Sequence, residues 1–258
     1  MRLDFITLFP AMFDGPMGES IVARARKSGL VEVGFCDPRE FSGDRRRTVD
    51  DTPYGGGAGM VLKPEMLVEA VRKCRTPESR VILMSPQGAR FTQAAAERLS
   101  KVPHLVFVCG HYEGVDERVR QTLVDEELSI GDYVLTNGSL AAMVVADAVI
   151  RLLPGALGSE ESAENESFGR ERMLEYPHYT RPERFEGMAV PDVLLSGNHR
   201  RIEEWRREQR WIRTAAARPD LIVAAVEEKA EHEHDPEAPQ GKPQDDPPAV
   251  RGGRHGQG

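Results

Sequence analysis

The chain has 258 residues, enough for one large domain or a medium domain plus a small one, and 40% of them are apolar, which supports a real core. Acidic residues outnumber basic ones by 42 to 34, a formal net charge of -8, which argues against a uniformly basic nucleic-acid binder but leaves room for a local basic face. The opening MRLDFITLFPAMF carries an acid early and no small-residue cleavage pattern, and no apolar run reaches membrane-spanning length, so neither a signal peptide nor a membrane anchor is read here.

In chain order, residues 2–9 read as a buried strand and 18–28 as a helix closed by Gly29. A strand at 31–36 and a long polar loop at 37–59 follow. Next come a helix near 64–74, a strand at 80–85, a PQGAR loop, a helix near 91–101 and a strand at 104–109. A helix near 115–124, a strand-like run at 127–135 and a long apolar helix at 138–153 complete this part. Strands alternating with helices predict an α/β layer structure with a mostly parallel sheet, ending near residue 160. Polar residues then form a linker. Prolines and turns over 177–199 lead into an arginine-rich helix at 199–217, with Ile202, Trp205 and Ile212 expected to face inward, and a shorter helix at 219–230. From His199 to Arg218 seven arginines stand against three glutamates. Beyond about His234 the composition is rich in Pro, Gly and charge and predicts disorder.

Cys36, Cys74 and Cys109 are far apart and form no C-x-x-C, which fits reduced thiols rather than disulfides or a zinc site. A short run containing His232, His234 and Asp235 reads as solvated charge in the tail rather than as a metal site.

The stretch 45-RRRTVDDTPYGGGAGM-60 looks like a phosphate cradle, yet no Lys-Ser or Lys-Thr follows its glycines as a P-loop requires. Nor does it satisfy G-x-G-x-x-G, because Met60 stands where the third glycine would be. Three glycine-containing segments, 84-MSPQGA-89, 109-CGHYEGVDERV-119 and 130-IGDYVLTNGSL-140, fall where strands end. Such loops suit a flat heterocycle approached closely by backbone, and they equally suit tight turns between strand and helix. In the helix 138–153, Asp147 and Arg151 stand four apart, the spacing of a helical ion pair. Arg151 is also placed to meet an anion in the 159–167 segment.

LFPAMF, 45-RRRTVDDTPYGGGAGM-60, 85-SPQG-88, 109-CGHYEGVDERV-119, 129-SIGDYVL-135, 177-PHYTRPE-183 and 193-VLLSGNH-199 together resemble the bacterial tRNA (guanosine-37 N1)-methyltransferases of the SPOUT superfamily, over about residues 1–220. The resemblance implies an α/β fold with a deep trefoil knot, a mostly parallel sheet with helices on both faces, and a small α-helical C-terminal domain. It divides the chain into a methyltransferase domain at 1–160, a linker at 161–173, a tRNA-binding domain at 174–233 and a disordered tail at 234–258. S-adenosylmethionine would be bound by Met84, Pro86, Gly110, Tyr112, Glu113, Ile130, Gly131, Asp132, Tyr133, Val134, Leu135 and Gly138. Glu166 would be the base that removes the N1 proton of guanine, with Arg151 stabilising the charge developing on O6. Arg45, Arg47, Asp50, Gly57, Gly59, Ser196, Asn198 and His199 would contact the anticodon stem-loop. The resemblance further implies a cytoplasmic homodimer with its active site at the subunit interface, and Mg2+ as a cofactor, although no metal cage is visible in the sequence.

Two departures stand out. Relatives carry an aspartate in a pattern like E-D-S-F, whereas this chain has 164-ENESF-168, one methylene longer at Glu166. Also, 137-NGSLAAM-143 replaces the commoner G-G-E-L-P-A-M. The competing readings are a knotted RNA methyltransferase acting on a ribose 2′-OH or another guanine, and an RNA-binding module without catalysis.

Overall fold

A computed structural model describes residues 1–158, 166–169 and 171–223. The chain divides between Glu171 and Arg172 into two compact units. The expected tail, residues 161–165 and 170 of the linker and the end of the helix expected at 219–230 lie outside the described residues.

The first unit is built on five parallel strands: β1 (Arg2–Ile6), β2 (Glu32–Cys36), β3 (Ser79–Arg90), β4 (His104–Cys109) and β5 (Glu126–Ser129), in the order β2-β1-β4-β3-β5. Helices α1 (Ser20–Lys27), α2 (Pro64–Cys74), α3 (Gln93–Leu99), α4 (Glu117–Leu123) and α5 (Ser139–Ile150) connect or follow them. Side-chain alternation sends Leu3, Phe5, Ile82, Met84, Leu105 and Phe107 into one core cluster with Ala142, Val145, Ala146 and Val149 of α5. Ile6, Val81, Leu83, Val106 and Val108 enter a second cluster with Met66, Leu67, Ala70 and Val71 of α2. Burial on both faces is why the strands read as unbroken apolar runs such as HLVFVC. The three cysteines are buried and free.

At the amino edge of the sheet a buried polar chain crosses three strands. Asp4 Oδ2 lies 2.8 Å from His104 Nε2, and His104 Nδ1 lies 2.7 Å from Ser79 Oγ. Arg2 Nε donates to the same carboxylate at 2.8 Å. Gly34 on β2 makes room for it, since a Cβ there would stand 2.0 Å from Asp4 Oδ1. Gly34→Ala is therefore expected to destabilise the unit by about 1–3 kcal/mol, as overpacking against a buried, hydrogen-bonded carboxylate does. A lower urea midpoint with an unchanged slope is the readout.

Several elements differ from the sequence-based expectation. The helix expected at 18–28 is a short helix, Asp14–Gly18, and α1, separated by an extended Glu19. The PQGAR loop is assigned to β3, with a break in register against β5 between Met84 and Ala89. The run 127–135 is a strand only to Ser129; from Ile130 it leaves the sheet. Asp147 and Arg151 do not form the expected helical pair. Asp147 is exposed, and the Arg151 guanidinium instead pairs with Glu166.

In the second unit a two-residue hairpin, Arg184–Phe185 with Met188–Ala189, precedes α6 (Asp192–Leu195) and the long α7 (His199–Ala217). Asn198 caps α7 by accepting the backbone N–H of Arg201. Ile212, expected to face inward, is 45% exposed. The inner face instead carries Arg210 and Thr214, with Arg206 and Arg210 over the ring of Tyr176 and Thr214 Oγ1 accepting the N–H of Leu174. Stacked guanidinium groups substitute for aliphatic packing there.

Candidate active site

The carboxyl ends of β3, β4 and β5 open into a cavity of about 340 Å3, the position at which open α/β sheets hold ligands. Three segments wall it: Leu83–Gln87 at the end of β3, Gly110–Val115 after β4, and 128–138, which runs from β5 to α5. The last segment does not stay beside its own strand. Gly138 N donates to Gly110 O at 2.8 Å, and Asn137 bridges to His111, so the chain returns from the sheet edge to the end of β4. A Cβ on Gly138 would lie 3.0 Å from Cys109 Cα and 3.2 Å from Met84 Cβ; glycine permits this crossing. Burial pushes the Cys109 thiol up to about 12, so it stays protonated at neutral pH and supplies no nucleophile.

Charge enters the cavity from α4. Arg120 donates to Glu117 through Nε at 2.6 Å and through Nη2 at 2.5 Å, and its Nη1 reaches Glu127 at 2.6 Å. The Arg120 hydrogen bonds hold the Glu117 carboxyl below its usual range, so Glu117 is ionised at neutral pH. Asp116 caps the same helix by accepting the N–H of Arg118.

The glycine-rich loop is fastened to this wall. Met60 O accepts the N–H of Glu113 at 2.9 Å, and Leu62 exchanges backbone bonds with Gly114 and Asp116. Gly59, at φ +85°, lies directly against the Glu113 side chain. Asp50 pairs with Leu62 in a two-residue antiparallel ladder at the stem of the loop, while Arg45 and Arg47 are exposed.

The second charged centre is the Arg151–Glu166 pair, in which both side chains are about one third exposed or less. Arg151 closes the carboxyl end of α5, where the helix dipole favours a cation.

A protein-family model described as tRNA (Guanine-1)-methyltransferase TrmD matches residues 1–224. The chain belongs to this family. It is 53% identical over 222 residues to the tRNA (guanine-N(1)-)-methyltransferase of Carboxydothermus hydrogenoformans, covering 86% of this chain and 87% of the relative. The proteins of the same name from Geobacillus kaustophilus and Chloroflexus aurantiacus are 55% and 56% identical over 224 and 229 residues, covering 86% and 88% of this chain and 91% and 90% of theirs.

Membership of the tRNA (guanine-1)-methyltransferase family implies S-adenosylmethionine as methyl donor, and the cavity residues fit it. The volume lies in the range of small-molecule sites. Apolar side chains of Leu83, Ile130, Leu135 and Ala141 can cover a purine, and glycines at 110, 131 and 138 allow close backbone approach. Every position that the resemblance assigns to the donor lines the cavity except Asp132, whose side chain is 93% exposed and faces Arg90. Gln87, His111, Glu117, Arg120 and Thr136 also line it and were not singled out from the sequence. Glu117 and Arg120 had a visible signal, being one helical turn apart directly after CGHYEG. Ser196 and Asn198 have local partners: Ser196 Oγ accepts the N–H of Asn198, which in turn caps α7.

Gly59→Ala tests the link between loop and cavity. The added Cβ would meet Oε1, Cγ and Cδ of Glu113 at 2.3, 2.5 and 2.7 Å in a left-handed backbone conformation. Donor affinity by calorimetry is expected to fall about tenfold, the equivalent of the roughly 1–2 kcal/mol such strain costs, with the circular dichroism unchanged.

Proposed function

We propose that the chain transfers the methyl group of S-adenosylmethionine to N1 of guanosine 37 in tRNA, and that it does so as a homodimer whose sites are assembled from both subunits. One observation carries the reading. The cavity lies at the amino end of α5, at Gly138 and Ala141, while the Arg151–Glu166 pair closes its carboxyl end. A helix of that length spans about 18 Å, too far for the acid to serve a nucleobase lying against the donor in its own chain. A second copy solves the distance. Leu140 and Val144, one turn apart on α5, are 45% and 49% exposed on a helix whose other apolar side chains are buried or half-buried, and Met12 beside Asn137 is exposed as well. Two such helices packed antiparallel would bring the Arg151–Glu166 pair of one subunit to the cavity of the other.

The chemistry follows from the groups. Guanine N1 is protonated in its neutral form, so a base must remove that proton as the methyl group arrives. Glu166 of one subunit would accept that proton from a nucleobase at the other subunit's cavity, and Arg151 would supply positive charge for O6. The sulfonium carbon needs no activation beyond in-line placement. The return of 130–138 to the end of β4 supports a threaded chain of the trefoil-knot type.

For the tRNA, Arg45 and Arg47 would meet phosphates, Asp50 would accept from the guanine edge, and Gly57 would let the backbone approach. Arg200, Arg201, Arg207 and Arg213, exposed along α7, form a positive surface for the stem, with His199 at the helix amino end, where phosphates are favoured. The two units would thus act as methyltransferase and tRNA-binding domains, joined by a linker that delivers Glu166. No described helix is long and apolar enough to cross a membrane, and a cytoplasmic location suits the substrate. The resemblance also implies Mg2+. Among the described residues no group of three or more His, Cys, Asp or Glu is placed to hold a metal.

Methyl transfer to tRNA transcripts bearing guanosine or adenosine at position 37, followed by mass mapping of the product nucleotide, tests the reading. Transfer confined to N1 of guanosine 37 is expected. Methylation of a ribose 2′-oxygen or of another guanine overturns it.

A further inference from the structure

We infer that the charge of the cavity wall selects the sulfonium donor over its thioether product, with Glu117 and Arg120 setting the strength of that selection. This rests on the reading of the cavity as the S-adenosylmethionine site and adds a specificity role for two residues of α4.

The methyl donor carries a sulfonium, an ammonium and a carboxylate, one net positive charge. On transfer the S–CH3 bond breaks with its electron pair kept by sulfur, and the N1–CH3 bond forms using the pair released when the base takes the N1 proton. The product left in the cavity, S-adenosylhomocysteine, is a neutral thioether zwitterion. Donor and product therefore differ by one methyl group and one unit of charge. A single methyl discriminates weakly. The charge is the larger difference a wall can exploit.

The wall is built for it. Its charged lining residues are Glu113, Glu117 and Arg120, two acids against one base. His111 is engaged through Nδ1 with the carbonyl of Thr136. Arg120 is held between Glu117 and Glu127, so its charge is already answered twice, and Glu113 faces no cation of its own in the lining. Other nearby charges are matched locally: Arg118 by Asp116 and Arg90 by Asp132. Arg80 and Arg98, which pair with Glu126, are outside the lining. A cavity of about 340 Å3 keeps a bound ligand within roughly one Debye length, about 8 Å, of every lining charge. Across such a distance, at a dielectric between that of protein and water, one unit charge changes the affinity of a cation by about three- to tenfold. The neutral product feels little of it. The wall thus favours reloading with donor and release of product.

Calorimetric titration of the full-length protein with S-adenosylmethionine and with S-adenosylhomocysteine, without tRNA, tests this through the ratio of the two affinities. Glu117→Gln is expected to lower the donor-to-product ratio by about three- to tenfold, and Arg120→Met to raise it by a similar factor. Damage to the cavity weakens both ligands together, so opposite movements of the ratio separate charge from shape. A ratio that is unchanged in both variants, or that moves the same way in both, overturns the inference. If a variant is unfolded by circular dichroism, the wild-type ratio is followed as potassium chloride rises from about 50 to about 500 mM. It should fall towards a plateau as screening increases, and a flat ratio again overturns the inference. Failure of both ligands to bind the wild-type protein would instead remove the reading of the cavity as the donor site.

Discussion

Glu166→Gln is expected to lower kcat for methyl transfer by about 10^2- to 10^4-fold, the usual contribution of a positioned general base. The amide keeps the shape of the side chain and can still accept a hydrogen bond from Arg151, its partner in the structure. What it loses is the capacity to take the N1 proton. Donor affinity should stay within about twofold of wild type, because the proposed role of Glu166 is to take the proton of guanine N1 and not to hold the donor. Glu166→Asp retains the carboxylate but shortens its reach, so it should fall between the two; a displacement of about 1 Å near a reacting centre can cost about a hundredfold. Single-turnover kinetics with saturating tRNA would measure all three. An unchanged kcat in Glu166→Gln would leave the Arg151 pair as a structural tie and return the search for the base to the loop at 45–60.

The second large effect concerns assembly. Replacing both Leu140 and Val144 by Asp places two charges on the exposed stripe of α5 and is expected to give a monomer with methyl transfer at background level. Light scattering gives the mass, and donor titration checks that the cavity survives. Complementation gives the sharper result. Glu166→Gln in one subunit and Gly138→Val in the other leave, in a purified heterodimer, one site with both an open cavity and an intact acid. About half of the wild-type activity should return, although each variant alone keeps about one hundredth of it or less. Sites complete within a single chain predict no recovery at all.

Much of the first unit is visible in local pattern. β1, β4, α2 and α5 stand close to where apolar runs and helical periodicity place them, because burial on both faces of a parallel sheet leaves a strong, continuous signal. The misplacements have separate causes. Residues 130–138 carry an apolar, strand-like composition, IGDYVL, yet they leave the sheet to wall the cavity and reach the end of β4. Their apolar character serves a ligand pocket and a close chain crossing rather than a ladder, and a local window cannot tell these apart. On α7 the expectation of an aliphatic inner face at Ile212 failed because two arginines pack on Tyr176 instead. Guanidinium stacking has no signature in hydrophobic periodicity.

The candidate site divides in the same way. The glycine-bearing strand ends, the apolar helix and the acid in ENESF are legible as residues, since each is a local chemical feature at a fixed spacing. Their relation is not. For Arg151 the sequence offered two partners, Asp147 four residues back and an anion in the 159–167 segment; the fold pairs it with Glu166 of that segment, fifteen residues on, and leaves Asp147 exposed. Nothing local announces that Gly59 lies on Glu113, or that Arg120 is shared between Glu117 and Glu127 at the cavity wall. Residue type and short-range periodicity thus determined the sheet, its helices and the kinds of chemistry available. Which charges meet, and at which end of α5, was decided by long-range crossings of the chain, whose loop-closure terms depend on the whole fold and leave no trace in any short window.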